Sequence, residues 1–437
     1  MIQKKRLIYN TFLLTGVSLL MSCIGIAFQV WLVGRIGSAG IGLYQLVLSV
    51  TGLAMTFAIS GIRFASTRLI SEELGALNCA GIRAAMRRCL GYALFFGLAA
   101  GLILWTLAEP IGFLWIGDAR TVRSLRLSAV SMPCAALCAA LSGYFTACGR
   151  VWKPSAVHLA EQLVGIALVA LCLARVPTED IELSCAAVTL GRVIADVVSL
   201  TLMLAVYTDD RRRHYGECGG GQRLTARMLK IALPLAVSAY ARSALTTLQN
   251  LLVPRGLKSA GYSADGALAG YGTIQGMVLP IIFFPSCIMS AAAELIVPEL
   301  TEAQVQGSRA DIHAAAKRLL LLSLEFSAAV GLFMWFFSDM LGFAVYKSQE
   351  AGHYIRLLAP LVPVMYTDMT VDGCLKGLGQ QVWSMGINIL DALTGLLLVW
   401  WLLPRYALAA YIGIIYFTEL LNFVLSMTRL RRVLKTL

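Results

Sequence analysis

The sequence predicts an all-α polytopic membrane protein of about twelve transmembrane helices. Three observations lead there. Hydrophobic residues make up 58% of the 437 and charged residues only 14%. Mean hydropathy is +0.76. The apolar residues also gather into runs long enough to cross a bilayer. Helices suit these runs, because in lipid every backbone N–H and C=O must be satisfied within its own segment. Little chain is left for a soluble domain, so the function is expected to lie within the membrane part.

The runs fall at about 8–33, 41–66, 88–108, 125–147, 155–174, 183–206, 231–254, 267–296, 318–338, 354–377, 382–403 and 407–428. The first follows Lys4, Lys5 and Arg6 and is too long for a signal-peptide core, so it reads as an uncleaved span. The third carries Gly97-x-x-x-Gly101, which permits close helix contact. In the eighth, Gly270, Gly272 and Gly276 precede Pro280 and Pro285, and in the tenth Pro360 and Pro363 interrupt the run. Such bends are tolerated where neighbours re-satisfy the backbone, and they make both spans candidate gating elements.

The formal net charge is +12. Its placement argues against a nucleic-acid partner. Basic residues collect at Arg83, Arg87 and Arg88; at Arg150 and Lys153; from Arg211 to Lys230; at Lys317 and Arg318; and from Arg429 to Lys435. These gaps share one side if the spans alternate, with Arg120 and Arg123 as the main exception. The positive-inside rule then places both termini in the cytoplasm. The eleven cysteines lie mostly inside spans and form no C-x-x-C pair, so they read as packing residues.

The strongest polar interruption, residues 207–224, contains Arg211 to Arg213 and Gly219 to Gly221 and leaves six spans on each side. The expected division is a six-helix bundle over 1–206, a cytoplasmic linker over 207–224 and a second six-helix bundle over 225–437. The halves echo one another. Gln29, Leu32, Val33 and Arg35 recur as Gln249, Leu252, Val253 and Arg255, and Ser38-Ala39-Gly40 as Ser259-Ala260-Gly261. Leu69, Ile70, Glu73 and Leu74 recur as Leu295, Ile296, Glu299 and Leu300. Gly143, Gly149, Val151 and Trp152 recur, with one insertion, as Gly373, Gly379, Val382 and Trp383. With six spans per half the repeats are parallel, and two such bundles can rock about a central site.

Charges inside spans are costly and usually face a cavity or a partner. Arg242 sits near the middle of the seventh span and Arg63 toward the end of the second, and guanidinium suits an anionic phosphate. Each has an alternative role, as a structural ion pair for Arg242 and as a snorkelling residue for Arg63. Asp368, Asp372 and Lys376 share one face of the tenth span at i, i+4 and i+8, as a cavity lining or an internal pair. Arg192 and Asp196 read as a structural pair, and Glu161, Glu325, Asp391 and Glu419 as single acids. Asp209-Asp210, beside three arginines, reads as a solvated charge run. There is no G-x-x-x-x-G-K-[ST] and no H-E-x-x-H, and His158, His214, His313 and His353 are scattered, so no motor, metal site, cofactor or enzymatic chemistry is expected.

The segment from Leu32-Val33-Gly34-Arg35-Ile36-Gly37 through Gly40-Ile41-Gly42-Leu43-Tyr44-Gln45 to Ser60-Gly61-Ile62 and Arg68-Leu69-Ile70-Ser71-Glu72-Glu73-Leu74 resembles the stage V sporulation protein B family. That family belongs to the multidrug/oligosaccharidyl-lipid/polysaccharide (MOP) superfamily. The sharp match covers about the first 80 residues, and the turn from Gly373 to Gly379 is also similar. The resemblance implies two V-shaped six-helix bundles of the MATE-like fold. It also implies flipping of a lipid-linked peptidoglycan or polysaccharide intermediate, with sporulation cortex synthesis as the family's namesake role. Many relatives carry two further C-terminal helices, and the proline usual after Gly-Ile is Arg63 here.

The resulting expectation is a flippase for a lipid-linked saccharide precursor, working by alternating access among membrane lipids. Arg242 and Arg63 would attract the pyrophosphate, and Gln29, Gln45, Gln249 and Asn250 would line the sugar's route. Its drive would come from membrane potential or a coupling ion, H+ or Na+. The alternative is a MATE-type multidrug or cation antiporter, which needs an acid in the cavity. The runs 8–33 and 231–254 contain none, whereas Asp368 and Asp372 supply one elsewhere. A non-transporting scaffold is a third class.

Overall fold

A computed structural model describes residues 2–75, 79–177, 180–214, 224–290 and 309–436, all of them helices, turns or short connections. The helices are α1 (Ile2–Ile59), α2 (Ile62–Gly75), α3 (Cys79–Pro110), α4 (Val122–Ala147), α5 (Trp152–Leu173), α6 (Ile181–His214), α7 (Leu224–Ser259), α8 (Ala264–Gly272), α9 (Leu279–Phe283), α10 (Arg309–Tyr346), α11 (Gln349–Leu358), α12 (Val362–Gly377) and α13 (Gln381–Thr436). Two π-helical turns, Ile111–Ile116 and Thr273–Val278, close α3 and α8.

Eight stretches of the described residues are long and apolar enough to cross a membrane. Two of them, Leu19–Gly75 and Gln381–Lys435, run for 57 and 55 residues. At about 1.5 Å per residue each is more than twice the thickness of a hydrocarbon core, so each supplies two crossings. The loops expected at 34–40 and 404–406 are therefore absent. The helix continues on either side of one left-handed residue, Gly37 (φ 69°) in α1 and Ala407 (φ 51°) in α13.

Packing divides the described chain into two compact units: Met1–Val17 with Leu46–Thr247, and Ser18–Gln45 with Leu248–Leu437. Residues 18–45 thus group with most of the second sequence half, and the first two-thirds of α7 with most of the first.

In the first unit α4 is central, packed on α2, α3 and α6, with α5 against α6. The Gly97 and Gly101 pair does what its spacing permits. A Cβ at Gly97 would lie 2.7 Å from Pro133 Cα, and one at Gly101 2.7 Å from Ala129 O, so α3 and α4 touch backbone to backbone. α6 runs on through His214, eight residues into the segment expected as a linker; residues 215–223 lie outside the described residues. Asp210 is thereby kept on a helix, 1% exposed, and is no solvated loop residue. It accepts hydrogen bonds from Tyr144 Oη at 2.9 Å and from the side chains of Arg150 and Lys153. One carboxylate thus ties together the end of α4, the start of α5 and the end of α6.

In the second unit α10 packs on α11 and α12, and α12 on α13. Ile312, Ala316, Leu319, Val371, Leu375 and Leu430 form part of its buried core. Residues 38–42 of α1 cross α8 at backbone distance. A Cβ at Gly42 would lie 2.1 Å from Leu268 O, and one at Gly272 2.1 Å from Ser38 O.

The turns after α4 and α12 are built alike. Gly149 (φ 68°) and Gly379 (φ 72°) are both left-handed. Arg150 N–H donates to Phe145 O and Gly149 N–H to Thr146 O; Gln380 N–H donates to Leu375 O and Gly379 N–H to Lys376 O. These are matching Schellman closures, at the repeat positions that the sequence pairs. The partner motif Leu295 to Leu300 lies outside the described residues.

Candidate functional site

The two arginines belong to the first unit. α7 lies along α1 through a ladder of hydroxyls. Thr247 Oγ1 donates to Ser49 O at 3.1 Å, Thr56 Oγ1 to Ser243 Oγ at 3.3 Å, and Tyr240 Oη to Ser60 Oγ at 2.6 Å. Ser60 also meets Tyr92 Oη at 2.8 Å. Ser60 and Gly61 are both left-handed (φ 43° and 70°), which breaks α1 from α2. A Cβ at Gly61 would lie 2.6 Å from Ala232 O. Arg63 follows this break by two residues, and Arg242 sits between the rungs Tyr240 and Ser243. Both side chains are exposed in this unit, and neither is ion-paired among the described residues.

The amides belong to the second unit. A cleft of about 300 Å³ is lined by Ser22, Gly25, Ile26, Gln29, Gln45, Pro280, Phe283 and Phe284. Pro280 explains one of its contacts. Proline has no N–H to donate one turn back, so the Gly276 carbonyl is left without its helical donor. Gln29 Nε2 donates to Gly276 O at 2.9 Å instead. At Pro285 the carbonyl one turn back, Ile281 O, accepts from Phe284 N–H at 3.3 Å instead, and the next carbonyl, Ile282 O, accepts from Tyr366 Oη of α12. The eighth span is thus bent and its freed carbonyls are met, as its prolines require. Pro360 and Pro363 fall in and just after the 3₁₀ turn Ala359–Leu361 that separates α11 from α12. Gln249 packs on Gly395 of α13, where a Cβ would come within 2.8 Å of its Nε2. Asn250, the next residue, is half-buried.

Asp368, Asp372 and Lys376 differ in their polar partners. Asp372 pairs with Lys376 at 2.5 Å and accepts from Ser384 Oγ. Asp368, only 8% exposed, lies where its charge interacts with those of Asp372 and of Asp391 and Glu419 on α13. Its Oδ1 has no hydrogen-bond partner among the described residues. Sequence reasoning took Asp391 and Glu419 as isolated acids; the available signal was that both interrupt otherwise apolar runs. The first unit has its own polar cluster. Glu161 accepts from Ser199 Oγ at 2.5 Å and lies 3.3 Å from His158 Nδ1, with Arg192 and Asp196 close by.

This architecture has relatives. The MatE family model matches residues 14–171 and 258–401. Stage V sporulation protein B of Bacillus subtilis (strain 168) is 24% identical over 410 residues, covering 91% of this chain and 78% of that protein. Sporulation protein YkvU of the same organism is 21% identical over 392 residues, covering 87% and 86%. Among solved structures, the inward-facing conformation of a multidrug resistance MATE family transporter of the MOP superfamily superposes with a TM-score of 0.71 at 13% identity, covering 95% of this chain and 96% of that one. A MOP superfamily transporter from Pyrococcus furiosus, described as having a binding pocket of reverse polarity, gives 0.65 at 11% identity over 97% and 96%. The fold is MATE-like, which in such transporters comprises twelve transmembrane helices. The chain belongs to the MatE family.

Proposed function

We propose that the protein flips a lipid-linked saccharide precursor across the bacterial cytoplasmic membrane by alternating access. The observation that carries this reading is the pair Arg63 and Arg242, cations of the first unit that are exposed and not ion-paired among the described residues. A guanidinium without a carboxylate partner inside a span is costly unless an anion meets it, and pyrophosphate matches its paired donors. Gln29, Gln45, Gln249 and Asn250 offer amides for sugar hydroxyls. The two sequence halves, 1–206 and 225–437, would be the rocking bundles, with both termini cytoplasmic. The drive would be membrane potential or an H+ or Na+ gradient. The kinship to stage V sporulation protein B points the same way.

Purified protein titrated with a polyprenyl pyrophosphate tests the site. Arg242→Ala and Arg63→Ala should each weaken binding at least tenfold, with Arg242→Lys intermediate. Equal affinity in wild type and both alanine variants would overturn the assignment.

A second reading, MATE-type multidrug or cation antiport, is equally compatible with the family. The buried group Asp368, Asp391 and Glu419 favours it, since a cationic cargo or coupling ion needs such acids. Ethidium efflux abolished by Asp368→Asn would establish it.

A further inference from the structure

The second unit carries a groove separate from the amide cleft and the acid group. Its volume is about 440 Å³. One wall is α10, where Lys317, Leu320, Leu321 and Leu324 recur at i, i+3, i+4 and i+7 and so form a single stripe. The other wall is the end of α13, with Phe423 and Met427 one turn apart and packed on the buried core. Leu321 and Leu324 are each about half exposed.

The two ends of the groove differ. At one stand Lys317 and His313, with Arg318, Arg431 and Lys435 exposed nearby in sequence. Away from Lys317 and His313 the lining is apolar apart from Thr367. His313 Nε2 donates to Leu434 O at 2.9 Å and so ties the walls together. Lys317 is not ion-paired among the described residues. From His313 to Leu324 is about 16 Å at 1.5 Å per residue. That is one leaflet's share of a hydrocarbon core about 30 Å thick.

A small anion in water would satisfy Lys317 and leave the leucine stripe uncovered. A neutral lipid would cover the stripe and leave Lys317 unmatched. A lipid with a phosphate and no compensating cation satisfies both, and basic pockets between helices on the cytoplasmic side attract such headgroups. We propose that this groove binds an anionic phospholipid of the cytoplasmic leaflet. Its phosphate lies at Lys317 and His313, and one acyl chain runs between Leu320, Leu321 and Leu324 on one wall and Phe423 and Met427 on the other. The proposal does not depend on the transported cargo.

Native mass spectrometry of the full chain tests it, with phosphatidylglycerol and phosphatidylcholine of identical acyl chains as probes. Wild type should retain phosphatidylglycerol at least tenfold more tightly. Lys317→Glu, a surface change compatible with folding, should abolish that preference and leave phosphatidylcholine retention unchanged. Leu324→Trp, which fills the groove, should weaken both. Equal retention of the two lipids by wild type would overturn the proposal, as would unchanged phosphatidylglycerol retention in Lys317→Glu. Displacement of phosphatidylglycerol by an equimolar polyprenyl phosphate would also overturn it and give the groove to a carrier lipid instead.

Discussion

Replacing Asp210 with alanine removes one carboxylate and leaves three groups without it. The carboxylate is 1% exposed and receives Tyr144 Oη, Arg150 and Lys153. Removing one partner of a buried ion pair costs about 3–5 kcal/mol, because the remaining charge stays desolvated. The side chains of Arg150 and Lys153 are 24% and 15% exposed, so water reaches them in part and the ionic share falls to the low end, about 3 kcal/mol. The orphaned Tyr144 hydroxyl adds about 1 kcal/mol or more. Asp210→Asn keeps an acceptor for Tyr144 and should lose less, about 2–3 kcal/mol. The triple variant Asp210→Leu, Arg150→Met, Lys153→Met removes every charge at once and should recover most of the loss, since well-packed apolar residues often replace a buried pair without penalty. Equilibrium unfolding in mixed micelles of increasing SDS content gives the order. Wild type and the triple variant should lie close together, then Asn, then Ala. An Asp210→Ala protein within about 0.5 kcal/mol of wild type, the range of an ordinary surface change, would show that this three-helix tie does not hold the unit together.

Four further outcomes follow from the geometry. Gln29→Ala should cost about 1–3 kcal/mol through the unmet Gly276 carbonyl; in a Pro280→Ala background, where a backbone N–H is restored, the same change should cost clearly less, which a double-mutant unfolding cycle would read. Gly42→Ala must push α1 and α8 apart by about 1.3 Å to reach an ordinary contact of 3.4 Å with Leu268 O, and should destabilise by about 3 kcal/mol. Gly34→Ala, with nothing within 4 Å, should be neutral or stabilising by up to about 1 kcal/mol in the same unfolding assay. Gly149→Ala and Gly379→Ala should each cost about 1–2 kcal/mol and by nearly equal amounts, because both residues close matching left-handed turns; a large difference in their unfolding midpoints would break the equivalence of the repeats.

Hydropathy made the spans legible, because a crossing helix cannot hide its apolar run. The repeat was legible too, and the turns at Gly149 and Gly379 carry it into backbone geometry. The joints were not. Gly37 and Ala407 each join two helices at a kink with no loop between them, and a local excess of polar residues there looks the same as a loop. Asp210 was misread for a related reason: apolarity fades near 206 while the helix persists to His214, and composition cannot tell a solvated terminus from one docked on its neighbours. Candidate site residues fared unevenly. Gln29, Gln45 and Pro280 share one cleft, but the reason is backbone satisfaction at Gly276, which no residue spacing encodes. Asp368 keeps Asp372 as a charge neighbour and gains Asp391 and Glu419, which lie on α13 where no spacing along α12 encodes them.

Translocation by the purified chain tests the central claim most directly. A fluorescent polyprenyl-pyrophosphate saccharide is reconstituted with wild-type protein or Arg242→Ala in proteoliposomes, and ethidium efflux is followed in parallel. The account predicts saccharide flipping by wild type, at least tenfold loss in Arg242→Ala, and no ethidium efflux by either. Ethidium efflux without saccharide flipping would contradict it and make the protein a cation antiporter.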